Sequence, residues 1–179
     1  MKKILYCPML YHHDKGMWPP TISSTSYFLW QKNLWNVLSD LKGWKVLWNA
    51  GAPNSNLYDP ISKWKAENIK YTKMRIQDAL KNCDMVLVDV PSTVMWDARK
   101  AGKPCLCLAP ERDKRWMRND WWESPSIEIW FESDLTKVKD ILKLWLFGFL
   151  PTTKNSTIEK LFVINQNDWL KEIVEWKSS

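Results

Sequence analysis

The sequence has little with which to hold a metal. Its 2 histidines are adjacent, His12 and His13, and none of its 4 cysteines forms a C-x-x-C pair. Structural zinc sites draw their ligands from closely spaced pairs, so this pattern argues against one. Three of the cysteines, Cys7, Cys83, Cys105 and Cys107 being the full set, lie within apolar runs. They read as buried free thiols of a reducing cytoplasm, not as a disulfide framework. No window approaches the roughly eighteen uninterrupted apolar residues of a membrane-spanning helix. The chain also lacks internal repeats, low-complexity tracts and a clear linker. Its start, "MKKILYCPMLYHHD", is basic, but the apolar run is short and broken by Pro8. It reads as a first strand and not as a signal peptide.

What is present fits one domain of ordinary size. The chain has 179 residues, 45% hydrophobic and 26% charged, enough to bury a core. The net charge of +6 favours an anionic partner: a nucleotide, a nucleic acid or an anionic membrane surface. The basic residues are scattered, apart from "ERDKRWMR" at 111–118, so no nucleic-acid interface is signalled. The 14 tryptophans are unusual. Trp30, Trp35, Trp44 and Trp48 fall in apolar segments and suit the core. Trp116, Trp121 and Trp122 fall in a polar segment. Exposed aromatics there would stack on sugar rings, meet a partner protein or simply cover the core.

Periodicity predicts strands alternating with helices. "KILYCPM" is a first strand, and a polar loop follows. Residues 26–43 carry Phe28, Leu29, Trp35, Leu38 and Leu41 at helical spacing, with Gly43 as the stop. "WKVLWNA" and "NIKYT" are strands, and "KMRIQDALKNC" is a helix that packs through Met74, Ile76, Ala79 and Leu80. "DMVLVDV" is apolar on both faces, as expected for a central parallel strand covered by helices on each side. "STVMWDARKAG" is a compact helix stopped by Gly102, and "KPCLCLAP" is the fifth strand. "SPSIEIWF" is a sixth, and "SDLTKVKDILKLWLFG" is an amphipathic helix capped by Ser or Asp. This alternation predicts an α/β fold: a single Rossmann-like three-layer domain with a mostly parallel sheet of about six strands. We expect that domain over residues 1–150, with residues 151–179 as a helical extension packed on it.

In such sheets ligands bind outside the carboxyl ends of the strands, where strand order reverses. The loops to inspect are therefore His12-His13-Asp14, Ala50-Gly51, Tyr71-Thr72, Pro91-Ser92-Thr93 and Glu111-Arg112. Ser92 and Thr93 stand at a helix mouth, where free N–H groups and the positive end of the helix dipole attract phosphate. The same residues also suit a plain helix cap. Asp97 lies one turn beyond Thr93, placed either to accept hydrogen bonds from ribose hydroxyls or to meet solvent. His12 and His13 suit a general base or a phosphate contact, or an unremarkable loop. Arg112 and Arg115 suit a phosphate clamp or a solvated face.

The stretch "ALKNCDMVLVDVPSTVMWDARKAGKPCLCLAP" resembles the C-terminal, donor-binding domain of GT-B-fold glycosyltransferases. The shared features are the Cys83-Asp84 strand start, the Ser92-Thr93 turn, Asp97 and Gly102-Lys103-Pro104. The opening "KKILYCPM" is similar to that of CDP-glycerol glycerophosphotransferase-like and capsule polysaccharide transferases. The resemblance spans residues 2–148. It implies that Ser92 and Thr93 contact a donor diphosphate, that Asp97 holds the donor ribose, and that Tyr71 and Thr72 meet the base. It further implies that the loop from His12 to Lys15 approaches the phosphates or the interdomain cleft. From the residue chemistry above, His12 and His13 are taken as the catalytic candidates and Arg112 as a phosphate contact.

The expected ligand is a nucleotide-activated sugar or polyol phosphate, used in surface polysaccharide synthesis in the cytoplasm, with no cofactor or metal required. Peripheral membrane association is compatible with that role. GT-B enzymes have two Rossmann-like domains and this chain has room for one, so a second domain or subunit is expected to complete catalysis. The alternative is a non-catalytic module that binds glycans or proteins through exposed tryptophans.

Overall fold

The computed structural model describes residues 1–9, 24–51, 60–90, 92–109, 129–131 and 134–147. Six strands form one sheet: β1 (Lys2–Cys7), β2 (Trp44–Asn49), β3 (Ile69–Thr72), β4 (Met85–Val88), β5 (Cys105–Ala109) and β6 (Ile129–Phe131). Their spatial order is β3-β2-β1-β4-β5-β6, and every neighbouring pair is parallel. This is the doubly wound order, whose direction of winding reverses between β1 and β4. The helices are α1 (Ser24–Ser39), α2 (Ile76–Lys81), α3 (Thr93–Lys100) and α4 (Leu135–Leu146), with a 3-10 turn at Pro60–Lys63.

Strand alternation sends successive side chains to opposite faces, and the two cores follow from it. Ile4, Tyr6, Trp48, Leu87, Leu106 and Leu108 face α1 and α4. Leu5, Cys7, Val86, Val88, Cys107 and Ala109 face α2 and α3. Each fully buried aliphatic side chain contributes roughly 1.5–3 kcal/mol of transfer free energy. Both faces being covered explains why β4 reads as a continuous apolar run rather than an alternating one. The α/β, Rossmann-like, three-layer expectation therefore stands, with all six strands parallel.

Local details refine the helix assignments. In α1 the buried stripe is Tyr27, Trp30, Leu34, Trp35, Val37 and Leu38, while Leu29 is 52% exposed. Helical spacing alone counts Leu29 among the packing residues; it falls between the rows at i, i+3 and i+7 that define the stripe. Trp30, Trp35 and Trp48 are buried and Trp44 packs against them partly buried, as expected. The segment expected to be helical over 73–83 is helical only over Ile76–Lys81, and Ala79 and Leu80 are its buried residues. Asp134 caps α4, accepting hydrogen bonds from the N–H groups of Thr136 (2.8 Å) and Lys137 (3.4 Å).

The end of α3 is a Schellman motif. Lys103 N–H donates to Ala98 C=O and Gly102 N–H to Arg99 C=O, both at 2.9 Å. Gly102 has φ 65° there, a conformation that favours glycine. Among the described residues no helix is long and apolar enough to cross a membrane. The extension expected at 151–179 lies outside the described residues, as does the 124–128 part of the expected sixth strand.

Candidate functional site

In doubly wound sheets a crevice forms at the carboxyl edge where strand order reverses, which here is between β1 and β4. On its β1 side the chain leaves through Pro8 and Met9 and later enters α1 on one face. On its β4 side it leaves through Asp89 and Val90 and enters α3 on the other. α1 and α3 therefore lie on opposite faces of the sheet, and the N-terminus of α3 stands at the carboxyl edge beside β4.

Ser92 is extended (φ −149°, ψ 168°) and is the N-cap of α3 by position, but its side chain makes no capping hydrogen bond. Only its carbonyl does so in part, accepting from Met95 N–H at 3.0 Å. Thr93 is exposed and begins the helix. Its N–H and that of Val94 belong to the first turn, where no helical carbonyl precedes them. The helix points this end, with its positive dipole, at the edge. Asp97 is half-buried one turn further on, on the same side as Thr93. Its neighbour Trp96 is covered by the Lys100 ammonium, 4.9 Å from the ring centroid.

Tyr71 and Thr72 lie at the same edge but on β3, beyond β2 and β1. Three strand spacings, roughly 14 Å, separate them from β4. Their side chains are engaged locally: Tyr71 packs half-buried on the α1-side core, and Thr72 Oγ1 donates to Asn49 Oδ1 at 3.3 Å. Asn49 organises this corner. Its Oδ1 accepts from Met74 N–H (2.7 Å), and its Nδ2 donates to Met74 C=O (3.1 Å). A single buried amide thus closes both main-chain groups of Met74, two residues past the end of β3. Asn49→Ala is expected to destabilise the fold by about 1–3 kcal/mol, because it strands those groups. A urea midpoint equal to that of the unchanged protein would contradict this. His12, His13 and Arg112 lie outside the described residues, as does Pro91. The structure therefore brings together Ser92, Thr93 and Asp97, and sets Tyr71 and Thr72 further along the edge.

The most unusual group at the crevice is Asp89, which periodicity and motif spacing do not single out. It is 1% exposed. Its Oδ2 accepts from the hydroxyls of Tyr6 and Tyr27, each at 2.5 Å, and its Oδ1 accepts from Met9 N–H at 2.7 Å. Tyr27 Oη also lies 2.8 Å from Met9 C=O and accepts from Gln31 Nε2 at 2.9 Å. Burial pushes the Asp89 carboxyl up to about 6, against the opposing pull of the bonds from Tyr27, Tyr6 and Met9 N–H. Desolvation outweighs these donors and the Asp89 backbone N–H because an ion loses its water on every side at once. The acid ties β1, α1 and β4 together beneath the crevice. A signal existed in the sequence: Asp89 is the one acid inside the apolar run 85–90, just before a proline.

Burial holds the Cys7 and Cys83 thiols in their neutral form. Burial first, then the nearby Cys83 and Asp89, push Cys7 up to about 12. Burial and Asp84 raise Cys83, which Lys103 only partly offsets. Among the described residues no group of three or more histidines, cysteines and acids converges on one point.

No protein-family model matches the sequence. No curated protein matches it either. Among solved structures, one described as the glycotransferase of kitacinnamycin aligns with a TM-score of 0.48 and 12% identity. The alignment covers 83% of this chain and 34% of that one. This chain thus spans about a third of the length of that protein, and the likeness concerns the course of the backbone alone.

Proposed function

We propose that this chain is the donor-binding domain of a glycosyltransferase or glycerophosphotransferase. It would hold a nucleotide-activated sugar or polyol phosphate by its diphosphate at the N-terminus of α3. The observation that carries this reading is the β1/β4 reversal with α3 opening beside it, its cap hydroxyl uncommitted. An anion at that point meets unsatisfied N–H groups and the positive end of the dipole. The same groups would stabilise the charge that grows on a departing nucleoside diphosphate. Asp97, a turn further along, accepts from ribose hydroxyls in this reading. The base extends along the edge toward the Tyr71-Thr72 end of β3, where main chain and not the Thr72 hydroxyl is on offer. A second domain or subunit supplies the acceptor site. We place the reaction in surface polysaccharide synthesis, at the cytoplasmic side.

Isothermal titration against UDP, CDP and GDP tests this. One of them is expected to bind. Asp97→Ala is expected to weaken it about tenfold, equivalent to about 1.4 kcal/mol. A folded protein that binds none of the three overturns the reading. Unchanged affinity in Asp97→Ala removes that residue from the site.

A further inference from the structure

Among the described residues, two acceptors lie within reach of the one hydroxyl hydrogen of Tyr27. These are Asp89 Oδ2 at 2.5 Å and Met9 C=O at 2.8 Å. Gln31 Nε2 meanwhile donates to the same phenol oxygen. One hydrogen cannot lie on both lines, so the protonation state of Asp89 decides which is made. With Asp89 ionised, Tyr27 O–H donates to the carboxylate, and the Met9 carbonyl loses that donor. When Asp89 takes one proton from solvent, the new O–H at Oδ2 donates to Tyr27 Oη. Tyr27 then turns its own hydrogen onto Met9 C=O. Throughout, Tyr6 O–H donates to Oδ2 and Met9 N–H to Oδ1. Among the described residues, the acid form thus grips Met9 by both main-chain groups, and the ionised form by one.

We propose that Asp89 is a proton-controlled latch on the segment that leaves β1, fixing the Met9 backbone at the mouth of the crevice when protonated and loosening it when ionised. The latch stands on the geometry of the four side chains. Its consequence for ligand binding rests on the reading of the crevice as a nucleotide site. Among the described residues, the titratable groups that meet Asp89 are Tyr6 and Cys7 on β1 and Tyr27 on α1. Two are phenols, and burial lifts the Cys7 thiol to about 12. All three are neutral through the range in which Asp89 titrates, with its midpoint at about 6. Among the described residues, Asp89 therefore titrates without a charged partner changing beside it.

The experiment follows the Met9 amide by ¹⁵N-resolved NMR and hydrogen exchange between about pH 5 and about pH 7.5. The range brackets the midpoint of about 6. In the unaltered protein the Met9 resonance is expected to titrate through that midpoint, with protection of the segment falling as pH rises. In Asp89→Asn the amide nitrogen takes the place of the protonated oxygen, donating to Tyr27 but unable to accept from Tyr6, and the titration is expected to vanish. Tyr27→Phe removes the shared hydrogen and is expected to abolish the pH-dependence of protection, which keeps the idea testable if Asp89→Asn folds poorly. A Met9 resonance that does not move with pH in the unaltered protein overturns the latch. So does an unchanged titration in Asp89→Asn, or unchanged pH-dependence of protection in Tyr27→Phe. Titration of CDP, UDP and GDP is then repeated at the two ends of the range. If the Met9 amide titrates and none of the three binds, the latch holds and the nucleotide reading falls. If one binds, its affinity is expected to drop several-fold more with rising pH in the unaltered protein than in Asp89→Asn. Equal pH-dependence in the two would overturn the coupling of the latch to the site.

Discussion

Replacing Trp48 with alanine is expected to lower folding stability by about 4 kcal/mol, the range set by large-to-small changes at fully buried aromatic positions. Trp48 is 0% exposed on β2. Tyr6 meets it edge-on at 4.4 Å between ring centroids, and Trp35 lies at 5.1 Å. These rings join β1, β2 and α1, so the hole left by alanine cannot close by moving one element. The indole is not ideal, however. Its N–H is buried and finds no acceptor among the described residues. An unmet donor costs about 1–3 kcal/mol. Trp48→Phe removes it while keeping a ring in place, so its cost is expected to be about 1–2 kcal/mol. Urea denaturation of both variants checks the pair. Equal losses would mean that the ring kept by phenylalanine recovers none of the packing lost in alanine. Tyr6, which packs on Trp48, also donates to Asp89, so Trp48→Ala is further expected to disturb the crevice.

The second large effect is a pH-dependence. The folded Asp89 carboxyl sits at about 6 against an ordinary value of 3.8. Between those values the folded protein holds a proton that the unfolded chain has released. Stability from this group is therefore greatest at low pH and falls as pH rises toward 6. Across about pH 4.5 to about pH 7.5 the loss is about 2 kcal/mol, since each tenfold difference in proton affinity between the folded and unfolded carboxyl carries roughly 1.4 kcal/mol. Asparagine cannot ionise and keeps the shape of the neutral acid. Asp89→Asn is expected to gain about 2 kcal/mol relative to the unaltered protein over that interval. Parallel stability curves for the two proteins would show that Asp89 is not held at a raised value. Other carboxylates titrate in both proteins alike, so the difference isolates this one.

Much of the framework was legible in the sequence because it rests on periodicity. The run at 84–90 announced a strand covered on both faces. Val138, Ile141, Leu142, Trp145 and Leu146 mark one face of α4 by spacing alone. Gly102 followed by Lys103-Pro104 marked the end of α3, and the Schellman bonds bear that out. The Ser92-Thr93 turn was legible as a helix mouth, but whether Ser92 spends its hydroxyl on the cap needed coordinates. Other features were hidden for a different reason. Asn49 and Asp89 act through partners remote in sequence, 25 residues away at Met74 and 83 at Tyr6. No local pattern encodes such a pairing. The exposure of Leu29 was hidden because two neighbouring helical rows are both apolar, and only packing chooses between them.

The crevice lies where sequence neighbours do not meet. Within each half of the sheet, strands that follow one another in the chain lie side by side. The seam between halves is the β1–β4 pair, closed by contacts such as Lys3 N–H to Asp84, 81 residues apart. Closing so long a loop costs more chain entropy than any other strand pairing in the sheet. Each half can therefore gather its own strands early, while the seam waits for both. The carboxyl edge at the β1–β4 seam is complete only once that pair closes, so pairing within each half alone leaves it unfinished.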